Sequence, residues 1–473
     1  MNLPELPQLF LADLPPGLTF APQMIRDGCF ALRQNRAQWL ERMRTRQLIE
    51  IIAYTAEQWM DPGYSFRVRA LTNPQDNLGF PRSTVERSLE TFFKTLTLEN
   101  LEALITQDLG DTRRLDEFTV SAPEAKTSRS GMVKGPELLV HITSGNIPNP
   151  ALFSMVLGIV TKSAQFIKCA RGTSLLPRLF AHSLASTEPK LGACFEIADW
   201  PGGSAGLDSA LFAEADAVTA TGSDETVMTI RNQLPLRCRF VGYGHRLSFG
   251  FISKEMLSTY SAKRAIRDCV TDIVSWNQLG CLSPHVFYVQ DDGAVSPEGF
   301  ADGLAIELDA REKIEPRGEI ALQESAAITD ARLVYELRSS LQTGGLDRSR
   351  ERSRFFEVPT MVKVWKSEGT TAWTVVYDTD LRFRASCLNR FIYVKPVKQL
   401  SEALHYAEPL RHQISTVGLG AVDVRAIELA KELARWGVPR ICPIGTMQQP
   451  PLPWRHDGRP ALGDLVQWTD FES

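Results

Sequence analysis

The pattern of apolar and polar positions divides the chain into a helical first part and a mixed remainder. Residues 36–60 carry apolar side chains at the three- and four-residue spacing of an amphipathic helix, and residues 1–110 are rich in helix formers. From Glu137 onward, short apolar runs alternate with helical patterns. The predicted strands are 138–142, 164–169, 194–197, 217–221 and 239–242, and the predicted helices include 150–161, 176–186 and 224–233. This repeat predicts βαβ units, a parallel sheet and therefore an α/β fold.

A second alternating region begins near Leu247. Within it, residues 262–277 have the spacing of an amphipathic helix, Gly280 is expected to turn the chain, and residues 285–289 read as a strand. His285 is therefore predicted to be a strand residue. The sequence indicates a second α/β region after the first.

Composition and charge exclude several classes of protein. The 473 residues carry a formal net charge of −4, with 43% hydrophobic and 23% charged residues. These values are typical of an ordinary globular protein. The chain has no excess of basic residues, so its composition does not indicate a nucleic-acid partner. The first twenty residues lack the pattern of a secretory signal, and the most apolar segment, 151–160, is shorter than the ~20 residues that span a bilayer. We therefore expect a cytoplasmic protein without a membrane span.

Eight cysteines are scattered along the chain, and none forms a CxxC pair or a Cys/His cluster with zinc spacing. We expect reduced thiols and no metal site. Cys281 differs from the others because it follows a helix in the context Asn-x-x-Gly-Cys, in a tight loop where a thiolate faces a cleft. The alternative is a small buried cysteine.

Two strand ends carry further candidate chemistry. Asn146 lies in the turn of HITSGNIPNPAL, where its amide is placed to donate to a developing oxyanion, or only to serve the turn. Lys168 ends the next predicted strand, with Arg171 three residues later. Cations at the end of a parallel strand can hold the ribose or phosphate of a nucleotide. The alternative is that both side chains reach solvent.

A third strand end, in AVTATGSDETV, has a glycine-containing turn before a helix. Thr221, Gly222 and Ser223 offer backbone N–H groups and a hydroxyl to a pyrophosphate at the helix N-terminus. An ordinary serine cap of the helix explains the same residues. Taken alone, this turn does not distinguish the two interpretations.

The four segments together resemble the aldehyde dehydrogenase superfamily, which has them in this order. Their separations are 22 residues from Asn146 to Lys168, 55 from Lys168 to Ser223 and 58 from Ser223 to Cys281. Within the superfamily, SGNIPNP, GYGHRLSFGFI, NQLGCLSPHVFYV and PWRHDG resemble the LuxC-type acyl-CoA reductases, the fatty-acid reductase family of bacterial bioluminescence. The resemblance covers most of the chain from about Asp111 onward.

The resemblance implies a fold of two Rossmann-like α/β domains and a small oligomerisation flap. The nucleotide-binding domain would cover residues 1–246, with an oligomerisation excursion at about 111–136. The catalytic domain would cover 247–435, and 436–473 would form a C-terminal oligomerisation or tail segment. A homodimer or a homotetramer is the oligomeric state that relatives suggest.

The resemblance also implies the roles of the candidate residues. Cys281 would attack an acyl thioester, with the oxyanion held by the Asn146 amide and the Cys281 backbone N–H. NADPH would reduce the acyl-enzyme to the aldehyde, and it would be held by Lys168, Arg171, Thr221, Gly222 and Ser223. His245 is a candidate proton donor, or else a packed histidine.

Departures from the superfamily narrow the reaction. Hydrolytic aldehyde dehydrogenases have a glutamate between the serine turn and the cysteine, whereas residues 237–251 contain no Asp or Glu. An enzyme without that base is better suited to thiol exchange or reduction than to hydrolysis of its acyl-cysteine. Arg171 stands where NAD-preferring relatives often have an acid, and it is suited to a 2′-phosphate, which favours NADPH. The turn after Ser223 lacks a later glycine found in many relatives, so the pose of the pyrophosphate is left open.

Three alternatives stay open at this point. The chain could be an NAD(P)-dependent aldehyde oxidiser on the same fold, an acyltransferase that uses Cys281 without reduction, or a non-catalytic scaffold. The acyl group, fatty or aromatic, and its donor, CoA, a carrier or a partner protein, are not decided by the sequence. Resemblance suggests an acyl-activating synthetase as a partner.

Overall fold

The computed structural model describes residues 6–15, 17–72, 79–343 and 361–472. The chain separates into two compact units. Unit 1 comprises Met1–Leu78, Val85–His245 and Pro451–Ser473, and unit 2 comprises Gly79–Thr84 and Arg246–Pro450, in each case as far as these residues are described.

Helices occur throughout the described residues. The α-helices are α1 Pro22–Gln38, α2 Thr45–Met60, α3 Ser65–Thr72, α4 Arg82–Phe93, α5 Leu98–Leu109, α6 Ala122–Ala125, α7 Asn149–Val160, α8 Leu175–Thr187, α9 Pro189–Gly192, α10 Ala205–Glu214, α11 Asp224–Gln233, α12 Thr259–Val274, α13 Pro297–Ile314, α14 Leu322–Thr343, α15 Leu400–Ala407 and α16 Asp423–Trp436. None of these helices is both long enough and apolar enough to cross a membrane.

The strands form three sheets. They are β1 Arg129–Lys134, β2 Leu138–Ile142, β3 Ala164–Cys169, β4 Phe195–Asp199, β5 Ala217–Thr221, β6 Arg239–Tyr243, β7 Leu247–Ile252, β8 Pro284–Gln290, β9 Val362–Lys366, β10 Thr374–Asp378, β11 Phe391–Val397, β12 Ile414–Gly420, β13 Arg440–Pro443 and β14 Gln467–Glu472.

Unit 1 contains a five-stranded parallel sheet in the order β4-β3-β2-β5-β6. All five strands predicted in this region are present, and α7, α8 and α11 lie where helices are predicted. The apolar side chains of the strands pack with α1 and α10, as in the cluster of Ile25, Val140, Phe166 and Leu211. The predicted parallel α/β arrangement is therefore confirmed.

One buried polar side chain lies at the centre of this sheet. His141 of β2 contacts Thr219 of β5 through Nδ1 at 2.7 Å and Gln165 of β3 through Nε2 at 3.0 Å. Burial lowers the pKa of His141 to about 4, so the ring is neutral at pH 7. The imidazole thus joins three strands without carrying a charge.

The helix predicted over residues 36–60 is interrupted in the structure. α1 ends at Gln38, because Trp39 has non-helical backbone angles, and α2 begins at Thr45. The Thr45 N–H and hydroxyl both donate to Asp116. The spacing of apolar residues correctly predicted helical structure in both α1 and α2, but it did not indicate the break between the two helices.

A separate two-stranded ribbon in unit 1 joins distant parts of the chain. β1 pairs antiparallel with β14 from Arg129↔Glu472 to Lys134↔Gln467. Arg114 lies over the ring of Trp468 at 5.1 Å and donates to Glu124, and both ionic side chains are buried. The excursion of residues 111–136 and the end of the chain are thereby connected.

Unit 2 contains a seven-stranded sheet in the order β13-β12-β7-β8-β11-β10-β9, parallel except for the edge strand β9. Successive residues of a strand face opposite cores: in β8, Phe287 packs on one face and Tyr288 on the other. Residues 436–450, which the sequence analysis assigned to the C-terminal segment, contribute β13 to this sheet. The strand predicted at residues 285–289 is β8, so His285 is a strand residue.

Candidate active site

Three of the turns that the sequence analysis selected lie along one edge of the sheet of unit 1. β3, β2 and β5 are adjacent and parallel, and Ile142 of β2 pairs with Lys168 on one side and Ala220 on the other. The turns that follow these strands therefore share the carboxyl edge. In open α/β sheets this edge is where ligands bind.

Lys168 is held close to that edge. Its backbone C=O accepts from the Thr143 N–H at 3.1 Å, and its ammonium lies 5.7 Å from the centre of the Trp200 ring. Burial lowers the pKa of Lys168, while the carboxylates of Asp208 and Asp199 partly oppose that effect. A cation at the end of β3 is therefore positioned by carboxylates and an aromatic face.

The turn after β5 begins α11 in the manner of a serine-capped helix. The Ser223 Oγ accepts from the Thr226 N–H at 3.2 Å and also contacts the Thr226 hydroxyl at 2.9 Å. The Gly222 N–H donates to the Tyr243 C=O at 3.2 Å. Ser223 therefore caps α11, as one of the two interpretations predicted. Thr221 is the last residue of β5.

The remaining candidates of unit 1 lie in exposed segments. Asn146 is exposed in the turn between β2 and α7, and Arg171 is exposed in the turn after β3. His245 is also exposed, and its backbone N–H donates to Asp224 of α11 at 2.7 Å. Lys168 lies near the end of β3, and Asn146, Arg171 and the Ser223 turn follow β2, β3 and β5, whereas His245 follows the edge strand β6.

The carboxyl edge has open space that suits a dinucleotide. A Cβ added at Gly172, Gly202 or Gly203 would have no neighbour within 4 Å, and these glycines follow β3 and β4. Gly172 and Gly203 have φ angles of +76° and +80°, a conformation that L side chains rarely adopt. Bare glycine turns beside a lysine, at the edge where Ser223 begins a helix, fit the phosphates and ribose of a nicotinamide dinucleotide.

In unit 2, Cys281 lies half-buried between α12 and β8. Its backbone C=O accepts from the Ser248 Oγ at 2.9 Å, and the same hydroxyl accepts from the Thr416 N–H at 3.2 Å. Gln448 donates to the Ser283 hydroxyl at 2.6 Å. The loop is therefore fixed on both sides of the thiol.

Gly280 lies close to the side-chain amide of Gln448. A Cβ at this position would lie 2.8 Å from the Gln448 Oε1, which is closer than real Cβ contacts allow. A side chain at position 280 would therefore require the Gln448 amide to shift. This contact lies directly beside the cysteine.

A pair of left-handed turns supports the Cys281 loop. Trp276, Asn277 and Gln278 have φ angles of 51°, 49° and 64°. This ends α12 at Val274, although the apolar spacing predicted a helix as far as residue 277. Because side chains other than glycine rarely adopt this conformation, such a turn persists only where its surroundings hold it.

The second turn is formed by residues 388–390, with φ angles of 62°, 53° and 66°. The Asn389 N–H donates to the Asn277 C=O at 2.9 Å, and the Arg390 Nε donates to the Asn277 Oδ1 at 2.9 Å. Gln278 donates in turn to the C=O groups of Pro284 and Phe391. We call the two turns and these bonds the turn clasp.

Two buried ionisable side chains, Asp272 and Arg440, bind the backbone of residues 445–447, which precede Gln448. Asp272 of α12 accepts from the N–H groups of Gly445 at 2.5 Å and Met447 at 2.9 Å. Arg440 donates to the C=O groups of Met447 at 2.6 Å and Thr446 at 3.0 Å. Burial raises the pKa of Asp272 to about 7, although both N–H bonds and Arg440 oppose the shift.

Several residues around Cys281 were not selected by the sequence analysis. Asn277 belongs to the Asn-x-x-Gly-Cys context, so a signal for it was present. Ser248, Arg390, Arg440 and Gln448 gave none, because each meets the loop from a distant part of the sequence. The separation is 33 residues for Ser248 and Cys281 and 165 for Gln448 and Ser283.

The other cysteines do not form a comparable site. None of the eight forms a disulfide, and burial raises the pKa of Cys387 and raises that of Cys442 to about 11. Within the described ranges, no group of three or more His, Cys, Asp or Glu side chains is arranged to hold a metal ion.

The fold is that of the aldehyde dehydrogenase superfamily. The bifunctional proline utilization A (PutA) protein is similar at a TM-score of 0.70 and 15% identity, covering 98% of this chain and 46% of that one. This chain thus spans about half of that PutA protein. Aldehyde dehydrogenase 21 from Physcomitrella patens has a TM-score of 0.65 and 14% identity, covering 96% and 90% of the two chains.

Residues 40–468 match the family described as acyl-CoA reductase (LuxC), and the chain belongs to this family. A long-chain acyl-protein thioester reductase of Aliivibrio fischeri is 23% identical over 437 residues, covering 91% of this chain and 83% of that protein. Long-chain acyl-protein thioester reductase 2 of Photobacterium leiognathi is 22% identical over 438 residues, with the same coverage. The resemblance found in the sequence is therefore confirmed.

Proposed function

We propose that this protein reduces an acyl thioester to an aldehyde, using NADPH and a covalent acyl-cysteine on Cys281. The observation that carries the proposal is the fixed, half-buried Cys281 loop in a chain of the acyl-CoA reductase (LuxC) family. Family membership supports thioester reduction, and the loop supplies a nucleophile. The acyl intermediate and the choice of NADPH are our inference.

Cys281 acts as the nucleophile in this proposal. Its thiolate attacks the thioester carbonyl, the oxyanion accepts from the Asn146 amide and the Cys281 N–H, and the thiol of the donor leaves. Ser248 and Gln448 hold the loop during this step. Loss of one oxyanion donor typically costs ~10²- to 10³-fold in rate, so Asn146→Ala should retain weak activity.

Residues 237–251 contain no carboxylate that would activate water against the acyl-enzyme. The acyl-cysteine is therefore expected to persist until it is reduced or exchanged with a thiol. NADPH, when bound, supplies the reducing equivalent. His245, exposed beside α11, is the candidate that donates a proton to the product oxygen.

Lys168, Thr221, Gly222 and Ser223 hold the dinucleotide in the proposal, and Arg171 pairs with its 2′-phosphate. Arg171 is exposed beside Gly172, where the edge of the sheet is open. Because a charged hydrogen bond contributes about 1.5–3 kcal/mol, Arg171→Ala should raise KM for NADPH about tenfold or more and leave KM for NADH nearly unchanged. Equal effects on both nucleotides would contradict the assignment of NADPH.

The names of the relatives support a long-chain acyl group delivered by an acylated protein, and the description of the family supports delivery by CoA. A homodimer or homotetramer, a cytoplasmic location and an acyl-activating synthetase partner remain predictions from the sequence. The preferred acyl group is identified by comparing turnover across the panel of acyl-CoA substrates described next.

The test is NADPH oxidation, followed by absorbance, with acyl-CoAs from acetyl to tetradecanoyl and with benzoyl-CoA. We expect aldehyde to form and Cys281→Ala to abolish turnover. Cys387→Ala is the matched control, because Cys387 is a second half-buried thiol of unit 2 outside the proposed site. Transfer of the acyl group to an added thiol, with no oxidation of NADPH, would overturn the reductase and support the acyltransferase.

A further inference from the structure

A cysteine nucleophile reacts as its thiolate, so a neighbouring cation that favours the ionised form increases its reactivity. The sheet of unit 2 aligns a cation with the strand that contacts the Cys281 loop. Arg440 of β13 pairs with Thr416 of β12, and Thr416 pairs with Ser248 of β7. The Ser248 hydroxyl donates to the Cys281 C=O. A row of contacts therefore leads across the sheet from Arg440 through Thr416 and Ser248 to Cys281.

A second connection leads from Arg440 to the same loop. Both terminal nitrogens of its guanidinium donate to the C=O groups of Thr446 and Met447, which precede Gln448. Gln448 then donates to Ser283, two residues after the cysteine. Arg440 is 7% exposed, so its charge acts in a medium that screens it weakly.

The charges around Arg440 identify the groups on which it acts. Cys442, Asp272 and Cys281 each favour its charged form, while burial lowers the pKa of Arg440. An arginine keeps its proton in proteins, so the interaction with Cys281 works in the other direction. It favours a thiolate on Cys281.

We propose that the buried guanidinium of Arg440 stabilises the thiolate of Cys281. The inference rests on the proposed nucleophilic role of Cys281, and Arg440 acts through that residue as a positioning residue. The S–H proton passes to solvent water before attack, and the electron pair stays on Sγ. The pair then forms the bond to the thioester carbon, and the thiolate of the donor leaves and takes a proton from water.

Other titratable groups near Arg440 bear on the same balance. Asp272 and Asp268 lie on α12, and Asp272 is buried against the loop that Arg440 holds. Cys442 lies two residues along β13, and burial raises the pKa of that thiol to about 11. His285 of β8 accepts from the Ser386 N–H through Nδ1 at 3.0 Å. Asp272 therefore opposes the effect of Arg440, and its removal should act with the opposite sign.

The experiment measures alkylation of Cys281 by iodoacetamide as a function of pH. It uses the full chain without nucleotide or acyl substrate, and the modified peptide is quantified by mass spectrometry. The variants are Arg440→Gln, which removes the charge, Arg440→Lys, which keeps it, and Asp272→Asn, which disturbs the same loop but removes an opposing charge. Thermal unfolding of each variant reports whether the fold is intact.

We expect wild type to reach half its maximum alkylation rate at a pH below that of an ordinary thiol. Arg440→Gln should move this midpoint upward by about one pH unit, which is about tenfold less reaction at pH 7. Arg440→Lys should restore most of the shift, and Asp272→Asn should move the midpoint downward. A purely structural role would move Gln and Asn variants in the same direction and would overturn the proposal.

An ordinary midpoint in wild type would also overturn the role of Arg440. The proposed function has a separate readout: it fails if Cys281→Ala still oxidises NADPH with acyl-CoA, or if the wild type transfers the acyl group to an added thiol without oxidising NADPH. If Cys281 is essential for turnover but Arg440→Gln leaves the midpoint unchanged, the proposed reductase function stands and the proposed stabilisation of the thiolate by Arg440 is excluded. The two failures are thus distinguishable.

Discussion

The turn after β5 and the loop before β8 hold their functional groups in different ways. In unit 1, the Ser223 hydroxyl is fixed by Thr226, three residues away in the sequence. In unit 2, the Cys281 loop is fixed by residues that are 33, 113 and 165 positions from their partners, namely Ser248, Arg390 and Gln448. The first turn is a local structure, and the second depends on the whole unit.

The local turn at Ser223 should tolerate substitutions elsewhere in the chain, whereas the loop at Cys281 is positioned more precisely but is more sensitive to them. A cap made within one turn of a helix forms wherever the helix forms, so its loss has a local cost. A loop held by remote side chains positions a thiol well, but every distant partner becomes a point of failure. We therefore expect substitutions far from Cys281 in sequence to affect stability and reactivity together, and substitutions at Ser223 to affect one binding step.

The strongest test of the comparison is Arg390→Met in the turn clasp. Arg390 is 1% exposed, donates to Asn277 and forms an ion pair with Glu312 at 2.6 Å. Because breaking a buried pair leaves polar groups without partners, the free energy of unfolding should fall by about 3 kcal/mol. Urea denaturation measures the loss, and iodoacetamide reactivity of Cys281 reports the loop.

Arg425→Met is the matched control for that substitution. Arg425 pairs with Glu428 on the surface of α16, 39% exposed. An exposed pair contributes up to about 1 kcal/mol, so this variant should resemble wild type. If Arg390→Met and Arg425→Met lost the same small amount, the turn clasp would not support the Cys281 loop.

A second test uses the pH dependence of stability. The pKa of His141 is lowered by burial from 6.5 to about 4, so the unfolded chain binds more protons between these values. The contribution of His141 to the free energy of unfolding therefore rises with pH across this window, by about 3 kcal/mol in all, and is constant above it. The pKa of Asp272 is raised from 3.8 to about 7, so its contribution falls between about pH 4 and 7.

The two buried groups thus give their units opposite responses to pH. The free energy of unfolding can be measured with urea at several pH values between 4 and 7. In His141→Asn the contribution that rises with pH is absent, so the free energy of unfolding should change with pH in a more negative direction than in the wild type. Asp272→Asn should show the reverse slope. Parallel curves for all three proteins would contradict both assignments.

The smallest expected effects come from a matched pair of serines. Ser248→Ala removes the hydroxyl that joins Thr416 and Cys281, so it should lower the free energy of unfolding by about 1–2 kcal/mol and also lower kcat. Ser223→Ala removes a helix cap, with a loss of about 1 kcal/mol and a higher KM for NADPH. Steady-state kinetics separates them, and a fall in kcat caused only by Ser223→Ala would reverse the comparison.

Most of the α/β arrangement could be predicted because each element carries its own signal. The apolar runs that became β2, β3 and β5 lie in one buried parallel sheet, where continuous hydrophobic strands are expected. Boundaries set by a single backbone conformation could not be predicted. Trp39 breaks the first predicted helix, and the left-handed Trp276 ends α12 early, yet the apolar spacing continues through both.

The same distinction applies to the candidate site. The turns at Asn146, Lys168 and Ser223 could be placed at one edge, because each follows a strand and parallel strands end together. Arg440 and Gln448 had no signal, since an arginine at a strand start and a glutamine in a proline-rich segment read as ordinary surface residues. Only the register of β7, β12 and β13 aligns Arg440 with Ser248, with Thr416 of β12 between them.

The turn clasp has a consequence for synthesis of the chain on the ribosome. Asn277 and Arg390 are separated by 113 residues, so the first turn is translated long before the second exists. Closing so distant a contact has an entropic cost that only the later packing offsets. A nascent chain that ends before Leu388 therefore carries Cys281 on a turn that has no counterpart, and the turn clasp beside Cys281 can form only after residues 388–390 have been translated.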